Sequence, residues 1–176
     1  RAMLGSAILN LRSRHATSRS SLARTLGASA STLSLYVEQL MAEGYVRETG
    51  LDKANLGRPR RLLDLVPEAG WFAGLEFNAQ RVSAVVVDFS GRCLNVENQE
   101  LPEGADAAQV LRSLVNLVDK LRKAQPTPLL GIGVGVPGLV DRKKGVGRFF
   151  SFIRKWEKVP VAELLHQRFK TSITVE

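Results

Sequence analysis

Cysteine is nearly absent from this chain: Cys93 is the single thiol in 176 residues. One thiol cannot close an internal disulfide or build a zinc cluster, so a stapled scaffold and a zinc ribbon are both excluded. Lying in a strand-like run, Cys93 is expected to be a small buried or half-buried residue. Histidine is almost as scarce. His15 and His166 have no further ligand at metal spacing, and no metal is assigned to either. Long apolar runs are missing too: the longest nearly apolar stretch, Leu129–Val140, is punctuated by glycine and too short to cross a bilayer. No signal peptide is apparent, so a cytoplasmic protein with no membrane partner is expected. No nucleophile and base stand at catalytic spacing, and neither enzymatic activity nor a cofactor is expected. The start at Arg1 and the stop at Glu176, inside an apparent strand, read as those of a fragment.

Negative charge is the most informative absence. Residues 1–37 hold five arginines (Arg1, Arg12, Arg14, Arg19, Arg24), and the first carboxylate is Glu38. The chain as a whole carries a formal charge of +8. Ten basic against five acidic side chains fall in residues 1–66, and fifteen against twelve in the remainder. The excess is therefore concentrated in the smaller, N-terminal part. A one-signed segment of this kind fits a phosphate-facing surface, which points to a nucleic-acid module joined to a more neutral domain.

The pattern of that segment gives the module its shape. Leu4, Ile8 and Leu11 share a face of a first helix over Ala2–Arg14. Ser20 or Ser18 can cap a second, short helix that turns Leu22, Ala23 and Leu26 inward, and Gly27 supplies the left-handed stop. Ser29 caps a third helix, with Leu33, Val37, Leu40 and Met41 on one face, and Gly44 stops it. Val46 and Arg47 open a strand to which the run from Arg60 to Val66 can return antiparallel. This is the order of a winged helix-turn-helix.

The leftover face of the third helix shows Ala30, Ser31, Ser34, Leu35 and Glu38. Short side chains let a helix approach a major groove closely, with hydroxyls near base edges and an alkyl group for thymine methyls. An ordinary polar surface helix is the plainer reading; the charge asymmetry decides for DNA. In Gly57-Arg58-Pro59-Arg60-Arg61, glycine and proline hold the chain extended while three guanidinium groups fan outward. A narrow minor groove attracts inserted arginine. A solvated basic loop is the alternative, and the position after a helix-turn-helix favours the groove. The residues assigned to double-stranded DNA are Arg19, Arg24, Ser29, Ala30, Ser31, Thr32, Ser34, Leu35, Arg58, Arg60 and Arg61.

Pro67-Glu68-Ala69-Gly70 marks a boundary, with the linker near residues 65–70. Beyond it Trp71–Phe77, Arg81–Phe89 and Arg92–Glu100 read as strands, then Asp106–Ala124 as an amphipathic helix. Leu129–Val136 reads as a buried strand, Val161–Lys170 as a helix and Ser172–Glu176 as a last strand. The domain is α/β. Between Asp141 and Lys158 lie seven basic and two acidic residues among Phe149, Phe150, Phe152, Ile153 and Trp156. That stretch is either a second nucleic-acid surface or, as preferred, a hairpin whose aromatics pack on another lobe or subunit. A single winged module covers one half-site, so a homodimer is expected.

At this point the residues resemble a known family. The helix-turn-helix, the Gly57-Arg58-Pro59-Arg60 wing end, Gly74-Leu75-Glu76-Phe77 and above all Gly131-Ile-Gly-Val-Gly-Val-Pro-Gly-Leu-Val-Asp141 are similar to the ROK family (repressors, open reading frames and kinases). Within it the chain looks most like the xylose- and N-acetylglucosamine-type repressors. The resemblance implies a winged helix-turn-helix over 1–66, then over 70–176 the N-terminal lobe of an actin-like, ribonuclease-H-like domain, with a second lobe normally following. It implies a transcriptional regulator, a repressor of sugar-metabolism genes, with a sugar effector in the full-length family; Pro137 and Gly138 are the effector-binding candidates. The alternatives are a ROK sugar kinase with an appended basic domain, or a truncated DNA-binding module without sensing. Against the kinase, the family's Asp-Gly-Gly-Thr phosphate loop is replaced by Leu75-Glu-Phe-Asn-Ala-Gln-Arg81, with no glycine and no threonine. The family's Asn-Asp pair, zinc motif and Glu-Gly-His segment are missing as well.

Overall fold

In the computed structural model, which describes residues 2–14, 16–52 and 60–176, helix α1 runs Ala2–Arg14 and buries Ala7 and Leu11. Strand β1 (Thr17–Ser18) leads into α2 (Arg19–Leu26). Of the two candidate caps, Ser18 is the one used: its backbone is extended and its Oγ accepts from the Ser21 amide at 3.3 Å. That satisfies one of the amides a helix start leaves without a partner. Gly27 ends α2 in the left-handed region, at φ 62° and ψ 26°. Ser29 caps α3 (Ala30–Ala42) by accepting from the Thr32 amide at 3.1 Å. Leu33, Val37 and Leu40 are buried along α3, as are Leu22 and Ala23 on α2.

The chain then forms β2 (Val46–Asp52) and β3 (Arg60–Leu65), which pair antiparallel, with β1 on the other side of β3. Val46 faces Leu65, and all of Val46, Leu63 and Leu65 are buried. The register slips between Glu48 and Gly50, which leaves Thr49 as an extra residue in β2. These helices and strands belong to a first compact unit, Arg1–Ala69 with Phe89–Gly91.

The second unit comprises Gly70–Asp88 and Arg92–Glu176. Its main sheet is built from β4 (Trp71–Phe77), β5 (Arg81–Asp88), β6 (Cys93–Glu100), β7 (Leu129–Gly135) and, near the end of the chain, Ser172–Val175. Strands β4, β5 and β6 form an antiparallel meander, β7 runs parallel to β4, and Ser172–Val175 runs parallel to β7. Helix α4 (Ala107–Ala124) starts at a reciprocal cap, in which Asp106 accepts from the Gln109 amide and the Gln109 side chain accepts from the Asp106 amide. Period-2 alternation turns Trp71, Ala73, Leu75 and Phe77 of β4 into the core, where Val110, Leu114, Val118 and Leu121 of α4 meet them. A small antiparallel sheet follows, made of β8 (Leu139–Asp141), β9 (Val146–Phe149) and β10 (Glu157–Val159). Helix α5 (Val161–Phe169) then adds Val161, Leu165 and Phe169 to the same core and leads into β11, the strand Ser172–Val175. The fold is mixed α/β.

Two expectations fail here. Cys93 is exposed, because β6 is an edge strand in which nearly every side chain faces solvent. The aromatics between Phe149 and Trp156 do not act as one outward-facing set. Trp156 and Ile153 are buried in the unit's own core, with the indole 4.7 Å from the Phe77 ring between centroids. Gly147 leaves the room for that indole: a Cβ there would come within 2.6 Å of Trp156 Nε1. Phe150 is half-buried, and only Phe149 and Phe152 stand outward.

Candidate nucleic-acid interface

Only Gly27, Ala28 and Ser29 separate α2 from α3, so the start of α3 is presented just after a tight turn. There Ala30, Ser31 and Thr32 are exposed, as is Leu35, which keeps 70% of its surface in solvent. Such exposure of a leucine on a capped helix is unexplained by the unit's own packing. Ser34 is half-buried, so its hydroxyl is less available than those of its neighbours. The Ser29 hydroxyl is already engaged, accepting from the Thr32 amide, donating to the Thr32 hydroxyl at 2.8 Å and lying 3.0 Å from Ser31 Oγ. Its role is to hold the turn.

The arginines divide into two kinds. Arg24 is exposed on the last turn of α2, and Arg60 donates to Ser20 Oγ at 3.0 Å; neither is ion-paired with a described residue. Arg19 and Arg61 are paired. Arg19 reaches Glu38 at 3.6 Å and Glu48 at 3.3 Å, and Arg61 donates to the other oxygen of Glu48 at 2.5 Å. Arg58 lies outside the described residues, as do Arg1 and His15. Reading the sequence missed Glu48. Its signal was a carboxylate on the inward side of β2, hidden because the Thr49 bulge had to be known before its neighbours could be.

In the second unit, Pro137 is half-buried and Gly138 exposed, just past the carboxyl end of β7. Gly138 has φ 84°, and a Cβ there would collide with the Phe149 carbonyl oxygen, so backbone packing alone demands glycine. A groove of about 550 Å³ opens on the sheet, lined by Gly74, Glu76, Ser83, Gly133, Gly135 and Thr174 among others, without Pro137 or Gly138. At the β4–β5 turn, Asn78 Oδ1 accepts from the Gln80 amide at 2.8 Å and the Arg81 amide at 2.9 Å. Those amides are turned to a protein side chain rather than outward to an anion. The Arg148 guanidinium and then the Lys144 amide hold the Asp141 carboxyl below the usual range. Among the described residues no three of His, Cys, Asp and Glu converge on one point, and no helix is long and apolar enough to cross a membrane.

The chain is 29% identical over 162 residues to a xylose repressor of Caldicellulosiruptor bescii, covering 90% of this chain and 40% of that protein. It is 22% identical over 163 residues to the DNA-binding transcriptional repressor Mlc of Escherichia coli, with coverage of 90% and 40%. The chain thus spans about two fifths of the length of these curated relatives. Among solved structures, a ROK family transcriptional regulator, a homologue of the Escherichia coli Mlc protein, has a TM-score of 0.77 at 16% identity, covering 98% of this chain and 45% of that one. A ROK family glucokinase from Streptomyces griseus, solved with glucose and AMPPNP, has a TM-score of 0.53 at 24% identity, covering 61% and 33%. These two likenesses show a shared fold, over nearly the whole chain for the regulator and over part of it for the kinase. The sequence profile of the ROK family matches residues 72–176, more than half of the chain, and the chain belongs to the ROK family.

Proposed function

We infer that residues 1–66 are a winged helix-turn-helix that binds double-stranded DNA, and that residues 70–176 are the N-terminal lobe of a ROK-type actin-like domain. The chain is then the DNA-binding part of a transcriptional regulator, a repressor of sugar-metabolism genes working in the cytoplasm. The observation that carries this reading is the three-residue turn from α2 to α3, which leaves Ala30, Ser31, Thr32 and Leu35 exposed on a unit that also exposes the cations Arg24 and Arg60. In this arrangement α3 enters the major groove. Ser31 and Thr32 offer hydroxyls to base edges, Leu35 meets thymine methyls, and Ser34 supports the approach from the half-buried side. Arg24 and Arg60 contact phosphates, with Arg19 and Arg61 as reserves held by carboxylates. Arg58 is the wing residue we assign to the adjacent minor groove. The relatives that bear the words "repressor" and "DNA-binding" support the same direction.

Two copies would place two modules on two half-sites, so the DNA-bound form is a homodimer. In the whole protein a sugar effector, with Pro137 and Gly138 near its site, would shift the spacing of the modules. Phosphoryl transfer is not part of the reading. A phosphate cradle needs outward backbone amides, and at the β4–β5 turn the Gln80 and Arg81 amides bond to Asn78. Titration with magnesium–ATP should give no binding, and saturable, magnesium-dependent heat would refute that part. For the DNA reading, fragments of the source genome are passed over the immobilised chain at moderate salt. Recovery of a few fragments sharing a two-fold-symmetric motif supports it; uniform retention or none rejects sequence-specific binding.

A further inference from the structure

Four charged side chains of the first unit form a continuous chain of ion pairs. Glu38 Oε1 lies 3.6 Å from Arg19 Nη1, Arg19 Nη2 lies 3.3 Å from Glu48 Oε1, and Glu48 Oε2 accepts from Arg61 Nη1. Two cations and two anions make the set neutral. Glu48 sits at its centre and is the least exposed member, at 24% of its side-chain surface against 73% for Arg61. It faces the buried Leu63 across the β2–β3 ladder, so its side chain starts on the inner face of the hairpin, the face Arg61 shares two residues before Leu63. Ion pairs with so exposed a partner add little to stability. An apolar side chain facing Leu63 would serve packing better than a carboxylate. Both oxygens are nevertheless taken by guanidinium groups from two different elements, α2 and β3.

We propose that Glu48 is a specificity-determining residue, whose carboxylate holds the guanidinium donors of Arg19 and Arg61 that a DNA phosphate would otherwise take. The role rests on the DNA-binding reading above. Carboxylate and phosphate compete for the same guanidinium fork. Binding to arbitrary duplex is driven almost wholly by counterion release, to which a cation already neutralised inside the protein adds little. Arg24 and Arg60, without ion-pair partners among the described residues, contribute fully on any sequence. Arg19 and Arg61 contribute only where a well-matched α3 brings a phosphate close enough to displace Glu48. Glu48 therefore suppresses binding to the wrong sequence more than to the right one.

The test is the salt dependence of binding to short duplexes of mixed sequence, for the wild type, Glu48→Gln, Arg60→Gln and Arg61→Gln. Glutamine keeps the shape of Glu48 and removes its charge. Glu48→Gln should bind mixed duplex more tightly and steepen the slope of log K against log salt by about one to two units, one for each released arginine. It should also enrich sequences from a random pool less sharply. Arg60→Gln should lose about one unit of slope, while Arg61→Gln leaves it nearly unchanged. This second comparison decides the matter even if Glu48→Gln fails to fold. A wild type that binds duplex but loses as much slope from Arg61→Gln as from Arg60→Gln would overturn the proposal, as would an unchanged slope in folded Glu48→Gln, and either result leaves the DNA reading standing. If no variant and no wild type binds duplex at low salt, the DNA reading itself falls, and this role with it.

Discussion

Gly27 is the hinge of the proposed DNA-reading motif, and its substitution gives a clean magnitude. Its backbone is left-handed, at φ 62° and ψ 26°, and a Cβ built there meets nothing within 4 Å. Alanine at this position therefore strains the backbone without striking a neighbour. An L-residue in that region costs roughly 1–2 kcal/mol. Glycine's greater freedom in the unfolded chain, lost on substitution, offsets about 0.4–1 kcal/mol of this. The net loss for Gly27→Ala is about 1 kcal/mol in the first unit. Gly27→Asn should cost less, because asparagine tolerates the left-handed cap. A D-alanine introduced by semisynthesis should instead stabilise, since it takes this conformation freely and still stiffens the unfolded chain. The assay is urea unfolding, with native-state hydrogen exchange at the Leu22 and Leu33 amides to report on the first unit separately. Alanine as stable as glycine, or asparagine worse than alanine, would refute the reasoning.

Further outcomes follow from the same structure. Replacing Ser31 by a bulkier residue such as glutamine should change which sequences are preferred more than it changes overall affinity, because base contacts specify and phosphate contacts position; selection from a random pool reads this, and equal weakening on every sequence would deny α3 a reading role. Lys120 and then Asn95 hold Glu97 below the usual carboxylate range, the Gln109 amide does so for Asp106, and Arg148 followed by the Lys144 amide for Asp141. Depressed folded-state values mean stability that is present above the unfolded value and lost as pH falls through the folded one. The urea midpoint of the second unit should thus hold steady down to about pH 5 and decline from about pH 4 downward, and a midpoint that rises on acidification would contradict it. The proposed homodimer should appear in sedimentation equilibrium at micromolar concentration. Phe152, 75% exposed, is the outward aromatic to test, so Phe152→Asp should weaken the dimer if the β9–β10 connection is the contact; a wild type that stays monomeric would reject it.

Much of the first unit was legible because its instructions are local. Ser18, Gly27 and Ser29 act on backbone within three or four residues of themselves, and the apolar spacing of Leu33, Val37 and Leu40 is a property of α3 alone. The strands of the second unit were legible for the same reason, from alternation such as Trp71, Ala73, Leu75, Phe77. What failed depends on contacts distant in sequence. Cys93 sits in a strand of ordinary composition, and only the five-strand order makes that strand an edge. Trp156 turns inward because Gly147 and Phe77 leave a place for it, which no periodicity announces. Four arginines that look alike in sequence are of two kinds in space, since Glu48 meets Arg19 and Arg61 but not Arg24 or Arg60. Partnership, more than residue type, separates a contact poised for phosphate from one already occupied.

The central claim is that the first unit grips duplex DNA through the exposed face of α3 and through Arg24 and Arg60, which have no ion-pair partner among the described residues. The most direct measurement is the slope of log K against log salt for this chain on a short duplex recovered from its own genome, compared with the same slope for an Arg24→Gln, Arg60→Gln double variant. The account predicts a steep negative slope for the wild type and a slope shallower by about two units for the double variant. Equal slopes for the two proteins, or binding that ignores salt, would contradict it.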